Sequence, residues 1–485
     1  MTDLWRLDLA QATKGLKKRD FSVTELVSSC LARLKATEPI IDATLAVFEE
    51  EALKTAKELD QRGYDPSQEL WGLPLTIKDV FCLNDGPTTA GSKELANYQS
   101  VFEATVVQRL RRAGAIFLAK TNCDEFAMGS STEFSAFKPT RNPWDPTRIP
   151  GGSSGGAAAS VVAGQAPGAF GTDTGGSIRQ PAGLCGCVGL KPSYGRVSRY
   201  GIVAYASSFD QAGPLAMTVS DCARLLTVVA GPDDRDSTVS RIPTSDYLNL
   251  KIPKPADLVL GLPKELWPED LPAGLAAVLK EAKKLLTEAG VKFIEVDLPN
   301  LRYAVASYYI LASAEASSNL ARYDGIRYGF REPKEDLVEQ YAQTRAEGLG
   351  PEARRRVLLG TFVLSSGYYE AYFRKAAQVR RLIAQDIARA LSQCHCLFAP
   401  VASRSAWPLG AFIDDPLTVY QMDLMTLPLN LYGGPGLCLS AGLDPDRLPV
   451  GAQLWGRPFD EMGVLGAGAL LESLWPPLER PKIVS

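Results

Sequence analysis

Two glycine–serine clusters and one lysine have the residue types that acyl-transfer chemistry requires. The clusters are Gly151–Gly156 and Gly175–Ser177, and the lysine, Lys78, ends the apolar run WGLPLTIK. Glycine lets backbone N–H groups approach a bound ligand, and a neighbouring serine hydroxyl can act as a nucleophile. Backbone N–H groups can also hold the oxyanion that forms when a carbonyl is attacked. The pattern therefore predicts an enzyme that cleaves amides or esters.

A serine nucleophile needs a base, and histidine is almost absent from this chain. The one histidine, His395 in CHCLFAPVA, is interpreted as an ordinary residue at the end of a buried strand. Burial lowers the pKa of a lysine, so a buried lysine can accept a proton instead. The apolar residues before Lys78 predict a buried stem with its amine at a strand end. A surface lysine paired with Asp79 is the alternative.

The segments PLTIKD, GGSSGG and GTDTGGSIRQPAG resemble the amidase signature family, whose members use a Ser–cisSer–Lys triad. The resemblance implies that Ser177 is the nucleophile, that Ser153 is the bridging serine after a cis peptide bond, and that Lys78 is the base. The spacing from Ser153 to Ser177 fits the family, whereas the spacing from Ser154 does not. The resemblance also implies an oxyanion hole built from the backbone N–H groups of Thr174, Gly175, Gly176 and Ser177.

The second half of the chain is similar to one branch of that family, the A subunits of glutamyl-tRNA(Gln) amidotransferases. The similar stretches include Ser307–Gly329, ARRRVLLGTFVLSSGYYEAYFRKA and DPLTVYQMDLMTLPLNLYGGPG. The resemblance implies that the head of a glutamine substrate is bound by Tyr308 or Tyr309, Arg356 and Asp423. An arginine can pair with an α-carboxylate and an aspartate can hold an α-ammonium group.

A further loop, DEFAMGSSTEFS, resembles the family's loop beside the active site. Ser130, Ser131 and Thr132 are therefore candidate lining residues, with helix caps and turn hydrogen bonds as the alternative.

The resemblance implies a glutaminase that releases ammonia through an acyl-enzyme. It also implies partners: a B subunit that uses the ammonia, ATP and Mg²⁺ to amidate misacylated tRNA, and a small C subunit that braces the pair. No cofactor or metal is expected in this chain, which has no GxxxxGK[ST] phosphate loop. The sequence does not decide whether the complex amidates Glu-tRNA(Gln), Asp-tRNA(Asn) or both.

Three other functions are compatible with parts of the pattern. A stand-alone amidase of small or aryl amides would keep Lys78, Ser153 and Ser177 but would not need Arg356 and Asp423 as a pair. A non-catalytic scaffold would not need the lysine and both serines. A phosphate-binding module is a third interpretation of the glycine clusters, but neither contains a lysine at the required place.

Composition narrows the class of protein further. The net charge is −3, from 52 basic and 55 acidic residues. This charge argues against a chain that binds nucleic acid by itself, because such chains usually carry a basic surplus. No run approaches the roughly 20 apolar residues of a membrane span, and the N-terminus lacks a secretory signal pattern. Nine scattered cysteines without zinc-like spacing favour a reducing compartment, so we predict a cytoplasmic protein.

The predicted fold is α/β, with a large mixed central β-sheet covered by helices on both faces. We predict one domain over 1–485: N-terminal helices at about 1–65, a catalytic core at about 66–220, a smaller α/β elaboration at about 250–345 and C-terminal core elements at about 350–475.

More detailed expectations concern individual elements. Ser22 and Glu25 predict a capping box at a helix start. A helix is expected over Ala43–Arg62, and Lys120 is expected at a solvated strand end. The helix Phe373–Ser392 is expected to expose Arg380 and Arg381. The β–α–β passage after Ala256 is expected as a smaller lobe or extra sheet, and the tail PPLERPKIVS as loosely attached.

Overall fold

The computed structural model describes residues 3–483. Its β-strands are β1 (Thr44–Val47), β2 (Pro74–Lys78), β3 (Ile116–Thr121), β4 (Gly168–Asp173), β5 (Val188–Lys191), β6 (Gln211–Ala216), β7 (Val259–Pro263), β8 (Lys292–Val296), β9 (Cys396–Pro400), β10 (Gly436–Leu443) and β11 (Pro449–Trp455). Within the described residues these eleven strands form one mixed sheet in the order β1-β3-β2-β4-β6-β5-β10-β11-β9-β7-β8.

The helices are α1 (Leu9–Lys18), α2 (Val23–Ile41), α3 (Glu49–Arg62), α4 (Thr105–Arg112), α5 (Gly155–Val162), α6 (Arg179–Cys185), α7 (Val219–Val229), α8 (Ala273–Glu288), α9 (Ala304–Asn319), α10 (Leu337–Gly348), α11 (Pro351–Leu364), α12 (Lys375–Leu391), α13 (Pro416–Met422), α14 (Leu427–Tyr432) and α15 (Glu461–Leu474).

Helices cover both faces of the sheet, as predicted. Successive side chains of a strand point to opposite faces. On β10, Leu437 packs against Gly468 of α15, while the next residue, Cys438, packs against Gly183 of α6. The two helices therefore lie on opposite faces of the same strand.

Strand polarity brings the predicted chemical groups to one edge of the sheet. Strands β2 and β4 are parallel neighbours, with Ile77 paired to Phe170. Lys78 is the last residue of β2, and β4 ends at Asp173 and runs directly into the Thr174–Ser177 loop. Because parallel strands end at the same edge, the lysine and the predicted nucleophile loop meet there.

Several element boundaries follow the sequence closely, and one does not. Ser22 and Glu25 form the predicted capping box at the start of α2. The helix expected from Ala43 is wrong at its start, because Thr44–Val47 pairs antiparallel with β3 before α3 begins. Pairing with a strand more than seventy residues away in the chain overrides the local helical preference there.

The β–α–β passage extends the central sheet and does not form a separate one. Strand β7 pairs in parallel with both β8 and β9, and β9 pairs with β11 of the central sheet. The C-terminal tail is also better anchored than expected, since Arg480 Nη1 donates to the Val161 carbonyl at 2.7 Å.

The expected exposure of the α12 arginines holds for only one of them. Arg381 is exposed. Arg380 instead reaches inward, where its guanidinium lies 4.3 Å from the centre of the Phe209 ring and donates to the Leu431 carbonyl at 3.1 Å.

All nine cysteines are buried and unpaired. In the part of the chain that the structure describes, no helix combines the length and apolar character needed to cross a bilayer.

Candidate active site

Lys78 is completely buried and surrounded by hydroxyl groups. Its Nζ donates to Ser153 Oγ at 2.7 Å, to Ser154 Oγ at 3.0 Å and to Thr172 Oγ1 at 3.0 Å. Burial lowers the pKa of Lys78 to about 8, because the charged amine loses its hydration. At pH 7 roughly a tenth of the amine is therefore neutral and able to accept a proton, and this fraction rises with pH.

Asp79 does not neutralise Lys78, because it pairs with another lysine. Lys120 Nζ lies 3.0 Å from Asp79 Oδ1, and both side chains are buried. The same Nζ donates to the Phe81 carbonyl at 2.6 Å and to Thr88 Oγ1 at 3.0 Å. The expectation of a solvated strand end for Lys120 is wrong, because the chain after β2 folds over it. This arrangement leaves Lys78 without a bonded carboxylate.

Thr132 holds the loop that carries Ser153 by two hydrogen bonds to its backbone. The Gly152–Ser153 peptide bond is cis. Thr132 Oγ1 donates to the Gly151 carbonyl at 2.8 Å and accepts from the Gly155 N–H at 3.1 Å. Thr132 therefore bridges the two ends of the loop and does not border the pocket beside Ser177.

The loop that carries Ser177 is held by a buried carboxylate, Asp173. This carboxylate accepts from the Gly176 N–H at 2.9 Å and from the Ile178 N–H at 3.2 Å, and it pairs with Arg179 Nε at 3.0 Å. Burial alone would raise the pKa of Asp173, but the Arg179 guanidinium brings it down to about 2. Asp173 is thus a permanent anion that fixes the loop.

The four predicted oxyanion donors are not equivalent. The Gly176 N–H is already engaged by Asp173. The N–H groups of Thr174, Gly175 and Ser177 make no hydrogen bond to any residue in 3–483. A Cβ at Gly175 would lie 2.6 Å from the Tyr308 hydroxyl, so this position has no room for a side chain. Three donors therefore remain available on a tightly enclosed loop.

Ser177 borders a pocket and presents a free hydroxyl to it. Its Oγ makes no hydrogen bond within the described part of the chain, whereas its carbonyl accepts from the Ser154 N–H at 3.2 Å. The two serine loops are therefore in direct contact. The structure forms the Lys78–Ser153 hydrogen bond but no Ser153–Ser177 hydrogen bond, a link that catalytic groups often make only when substrate is bound.

The other side of the pocket holds a buried carboxylate, Asp423. Tyr309 donates to Asp423 Oδ2 at 2.6 Å, and Ser130 Oγ donates to Oδ1 at 2.8 Å. Burial raises the pKa of Asp423 to about 6, so it is mainly ionised at neutral pH. Tyr308 also borders the pocket, but Ser131 is buried without bordering it.

A guanidinium, Arg356, lies in the same wall among aromatic rings. Its Nε donates to Glu352 Oε1 at 2.7 Å and its Nη1 to the Tyr205 hydroxyl at 2.6 Å. Its Nη2 makes no hydrogen bond to the residues described. The rings of Tyr309 and Tyr420 stack beside it with centroids 3.8 Å apart. Because Nε is occupied, an anion in the pocket would be met by the Nη groups.

The pocket thus joins the nucleophile loop to a charged cluster. It is bordered by Ala127, Gly129, Ser130, Gly152, Gly175, Gly176, Ser177, Gln180, Tyr205, Tyr308, Tyr309, Arg356, Asp423, Thr426 and Leu427. His395 is not among them, and its Nδ1 accepts from the Val259 N–H at 3.0 Å, as expected for a strand-end residue.

Sequence reasoning missed three groups that build this site. Asp173 precedes the glycine pair, and a carboxylate at such a turn is a signal for loop capping. Glu352 lies four residues before Arg356, the spacing of a helical ion pair. Gln180 accepts from the Gly152 N–H and donates to the Ser130 carbonyl, both at 2.9 Å, and no sequence pattern marks it.

Comparisons with known proteins agree with this geometry. A model of the Amidase family matches residues 25–465. The chain is 52% identical over 485 residues to the A subunit of the glutamyl-tRNA(Gln) amidotransferase from Nitratidesulfovibrio vulgaris, with 99% of each chain covered. It is 50% identical over 488 residues to the protein of the same name from Chloroflexus aurantiacus, with 100% of each covered.

Solved structures share the fold over nearly the whole chain. The A subunit of the glutamyl-tRNA(Gln) amidotransferase from Thermotoga maritima superposes with a TM-score of 0.83 at 40% identity, with 99% of each chain covered. The peptide amidase of Stenotrophomonas maltophilia gives a TM-score of 0.84 at 28% identity, again with 99% of each covered. The chain is therefore an enzyme of the amidase family.

Proposed function

We propose that this chain is the glutaminase subunit of a tRNA-dependent amidotransferase. It hydrolyses glutamine to glutamate and ammonia through an acyl-enzyme on Ser177. One observation carries the proposal. Ser177, a carboxylate and a guanidinium border one pocket, and the serine loop in contact with the Ser177 loop carries a serine bonded to a buried amine. The serines and the amine suit amide cleavage, and the carboxylate and the guanidinium suit the α-ammonium and α-carboxylate of an amino acid.

The proposed reaction begins with a proton relay. Neutral Lys78 takes the proton of Ser153 while Ser153 takes that of Ser177, whose oxygen attacks the side-chain amide carbon. The carbonyl oxygen becomes an oxyanion, which the free N–H groups of the nucleophile loop can stabilise. Each such donor is typically worth about 2.7–4 kcal/mol of the barrier.

Collapse of this intermediate breaks the carbon–nitrogen bond. Protonated Lys78 returns its proton through Ser153 to the leaving nitrogen, and ammonia departs. Water then attacks the ester on Ser177 with the same lysine as base, releasing glutamate and restoring the serine. The net reaction converts glutamine and water into glutamate and ammonia, and no proton is gained or lost by the enzyme.

The wider role rests on the relatives, which are named as subunits of an amidotransferase. We propose that ammonia passes to a B subunit, which holds ATP and Mg²⁺ and amidates misacylated tRNA, with a C subunit bracing the assembly. The net charge of −3 suits a chain that leaves most of the tRNA contact to a partner.

Replacing Asp423 with asparagine should weaken glutamine recognition without disabling the chemistry. The substitution keeps the shape of the side chain but removes the charge that would face the α-ammonium group. We expect kcat/KM for glutamine to fall by about 30-fold or more, mostly through KM. The measurement is ammonia release by the purified complex with glutamine and with butyramide, which lacks both charged head groups.

Butyramide serves as the control because its turnover should hardly change. An Asp423→Asn variant with unaltered glutamine kinetics, together with brisk cleavage of simple amides by the wild type, would favour a stand-alone amidase instead. Arg356→Ala is a poorer test, because it would also remove one of the cationic partners of the buried Glu352 and so disturb the pocket wall.

The rate should depend on pH in a way that reports the two titrating groups. Lys78 acts as a base only when neutral, and its pKa is about 8, so kcat/KM should rise about tenfold per pH unit between roughly pH 6 and 8 and then level off. Below about pH 6 the rise should be steeper, because Asp423 also becomes protonated. A stopped assay across this range measures the profile, and a flat profile above pH 6 would contradict the assignment of Lys78.

A further inference from the structure

The peptide group between Gly175 and Gly176 lies in the middle of the nucleophile loop, and both of its polar groups are bonded. Its N–H, on Gly176, donates to Asp173 Oδ1 at 2.9 Å. Its carbonyl, on Gly175, accepts from Thr426 Oγ1 at 2.6 Å. Because a peptide group is planar, hydrogen bonds to its N–H and to its carbonyl together fix its orientation.

The two glycines would leave this peptide group free to rotate if it were not bonded. Neither residue has a Cβ, and Gly176 has a φ of +129°, where residues with side chains are rarely found. The N–H groups of Gly175 and Ser177 flank the peptide group and make no hydrogen bond to residues 3–483. Their relative directions depend on rotation about the peptide group that separates them. An oxyanion hole made from these two N–H groups therefore needs that peptide group to be held.

Thr426 stands where a threonine side chain usually serves its own helix. It is the residue before α14, a position from which threonine commonly bonds the backbone of the first helical turn. Its side chain makes no such bond. The residue is 2% exposed, and its hydroxyl donates instead to a carbonyl 251 positions away in the chain. The carbonyl of Asp423 is a more distant acceptor at 3.3 Å, so the single hydroxyl proton is committed to Gly175.

The backbone of Thr426 is connected to the other hydrogen bond of the same peptide group. Arg179 Nη2 donates to the Thr426 carbonyl at 3.1 Å, and Arg179 Nε pairs with Asp173 Oδ2 at 3.0 Å. The donor to the Gly175 carbonyl and the acceptor of the Gly176 N–H are therefore joined through one guanidinium. Packing is also close, since a Cβ on Gly176 would lie 2.2 Å from Thr426 Oγ1.

We propose that Thr426 is a positioning residue for the oxyanion hole. Its hydroxyl holds the Gly175 carbonyl and thereby directs the N–H groups of Gly175 and Ser177 toward the oxygen of the amide under attack. This inference rests on the proposed function and adds a residue to it. Thr426 makes no hydrogen bond with Lys78 or Ser153 in the described part of the chain, so the proton relay should stay intact when it is replaced.

The serine and alanine variants of Thr426 differ by one oxygen atom, and their comparison tests the hydroxyl. In Thr426→Ala the Gly175 carbonyl loses its donor. The value of kcat for glutamine should then fall about 10–100-fold, because small misplacements of groups that stabilise a transition state have effects of this size. In Thr426→Ser the donor remains, and kcat should stay within about threefold of the wild-type value. Ammonia release by the purified complex measures both.

Thr426→Val gives a second test of the same hydroxyl. Valine fills the space of threonine but places a methyl group where the donor was. Its kcat should be reduced at least as much as that of Thr426→Ala. Wild-type kcat in either variant, or equal losses in Thr426→Ser and Thr426→Ala, would overturn the inference.

Butyramide separates this role from support of the substrate head. It lacks the charged groups that Asp423 and Arg356 would bind, but its cleavage forms the same oxyanion. Thr426→Ala should therefore lower kcat for butyramide about as much as for glutamine, and KM for glutamine should change by less than about threefold. A rise in KM for glutamine with unchanged kcat would mean that Thr426 serves only to support Asp423, and would overturn the inference.

A matched control excludes a loss of stability as the cause. Thr37 on α2 is also buried, and its Oγ1 donates to the Arg33 carbonyl at 2.9 Å. Thr37 does not border the pocket. Thr37→Ala should lower the midpoint of thermal unfolding about as much as Thr426→Ala does, because each removes a hydroxyl bonded to a backbone carbonyl. It should leave kcat unchanged, and a loss of kcat equal to that of Thr426→Ala would count against a specific role of Thr426.

Failure of this inference can be told apart from failure of the proposed function. Glutamine hydrolysis by the wild-type complex tests the function without reference to Thr426. Wild-type hydrolysis together with unaltered kcat in Thr426→Ala and Thr426→Val would keep the function and reject the role of Thr426. A wild type that cleaves butyramide but not glutamine, and loses that activity in Thr426→Ala, would reject the function and keep the positioning role.

Discussion

Replacing Ser177 with alanine should reduce kcat for glutamine by about 10⁴–10⁶-fold, because the substitution removes the atom that forms the acyl bond. The residual rate would come from substrate binding and the oxyanion donors alone. Ammonia release by the purified complex measures the loss. Glutamine binding should persist, since Asp423 and Arg356 are untouched.

The fold should tolerate this change. Ser177 Oγ makes no hydrogen bond in the described residues, so the alanine variant leaves no buried polar group without a partner. We expect the midpoint of thermal unfolding to match that of the wild type. A Ser177→Ala enzyme that keeps a tenth of the wild-type rate would mean that another group is the nucleophile.

Replacing Lys78 with methionine should lower kcat by about 10³-fold or more, since the relay then has no base. Methionine matches the length of the lysine stem and suits the buried site. The substitution removes three hydrogen bonds to hydroxyls, but it also removes the cost of burying a charged amine. The two effects oppose each other, so the midpoint of thermal unfolding should move little. Single-turnover kinetics would separate slow chemistry from weak binding.

The neighbouring serine provides the control for this relay. Ser153 and Ser154 both accept from Lys78, at 2.7 and 3.0 Å. Ser154 Oγ also donates to the Thr172 carbonyl at 3.1 Å, so that hydroxyl is committed to the strand. Ser153→Ala should therefore cost nearly as much activity as Lys78→Met, and Ser154→Ala much less. Equal losses in the two serine variants would contradict the assignment of the bridging role.

Features that depend on local spacing and strand polarity could be predicted from the sequence. The apolar run before Lys78 is enough to bury its stem, and two parallel strands ending together bring it to the glycine loops. The capping box of Ser22 and Glu25 lies within one helical turn. In each case the interacting residues are close in sequence or are brought together by one sheet.

Features that depend on contacts between distant segments could not be predicted from the sequence. The Asp79 carboxylate lies next to Lys78 in the chain, yet it pairs with Lys120 on the adjacent strand. The local pattern of Thr44–Val47 favours a helix, but β3 supplies the hydrogen bonds that make this segment a strand, β1. Arg380 has the helical position of a surface residue, but the Phe209 ring and the Leu431 carbonyl, both distant in sequence, draw it inward.

Among the pocket residues, the charged pair was predictable only by resemblance. Nothing local to Arg356 or Asp423 marks either as a ligand group, because they stand on different elements, 67 positions apart in the chain (423 − 356). Their common wall forms when Tyr309 of α9 bonds to Asp423 and α11 brings Arg356 beside that tyrosine, and the supporting Tyr205 comes from a distant segment that no local spacing connects to Arg356.

The acyl bond on Ser177 is the central claim, and the mass of the quenched enzyme tests it most directly. Wild-type complex is mixed with glutamine, quenched in acid within the first turnover and digested for mass spectrometry. We predict that the peptide carrying Ser177 gains the mass of glutamine less ammonia, and that Ser177→Ala shows no such gain. Prompt ammonia release with an unmodified Ser177 peptide, or an adduct on any other residue, would contradict the account.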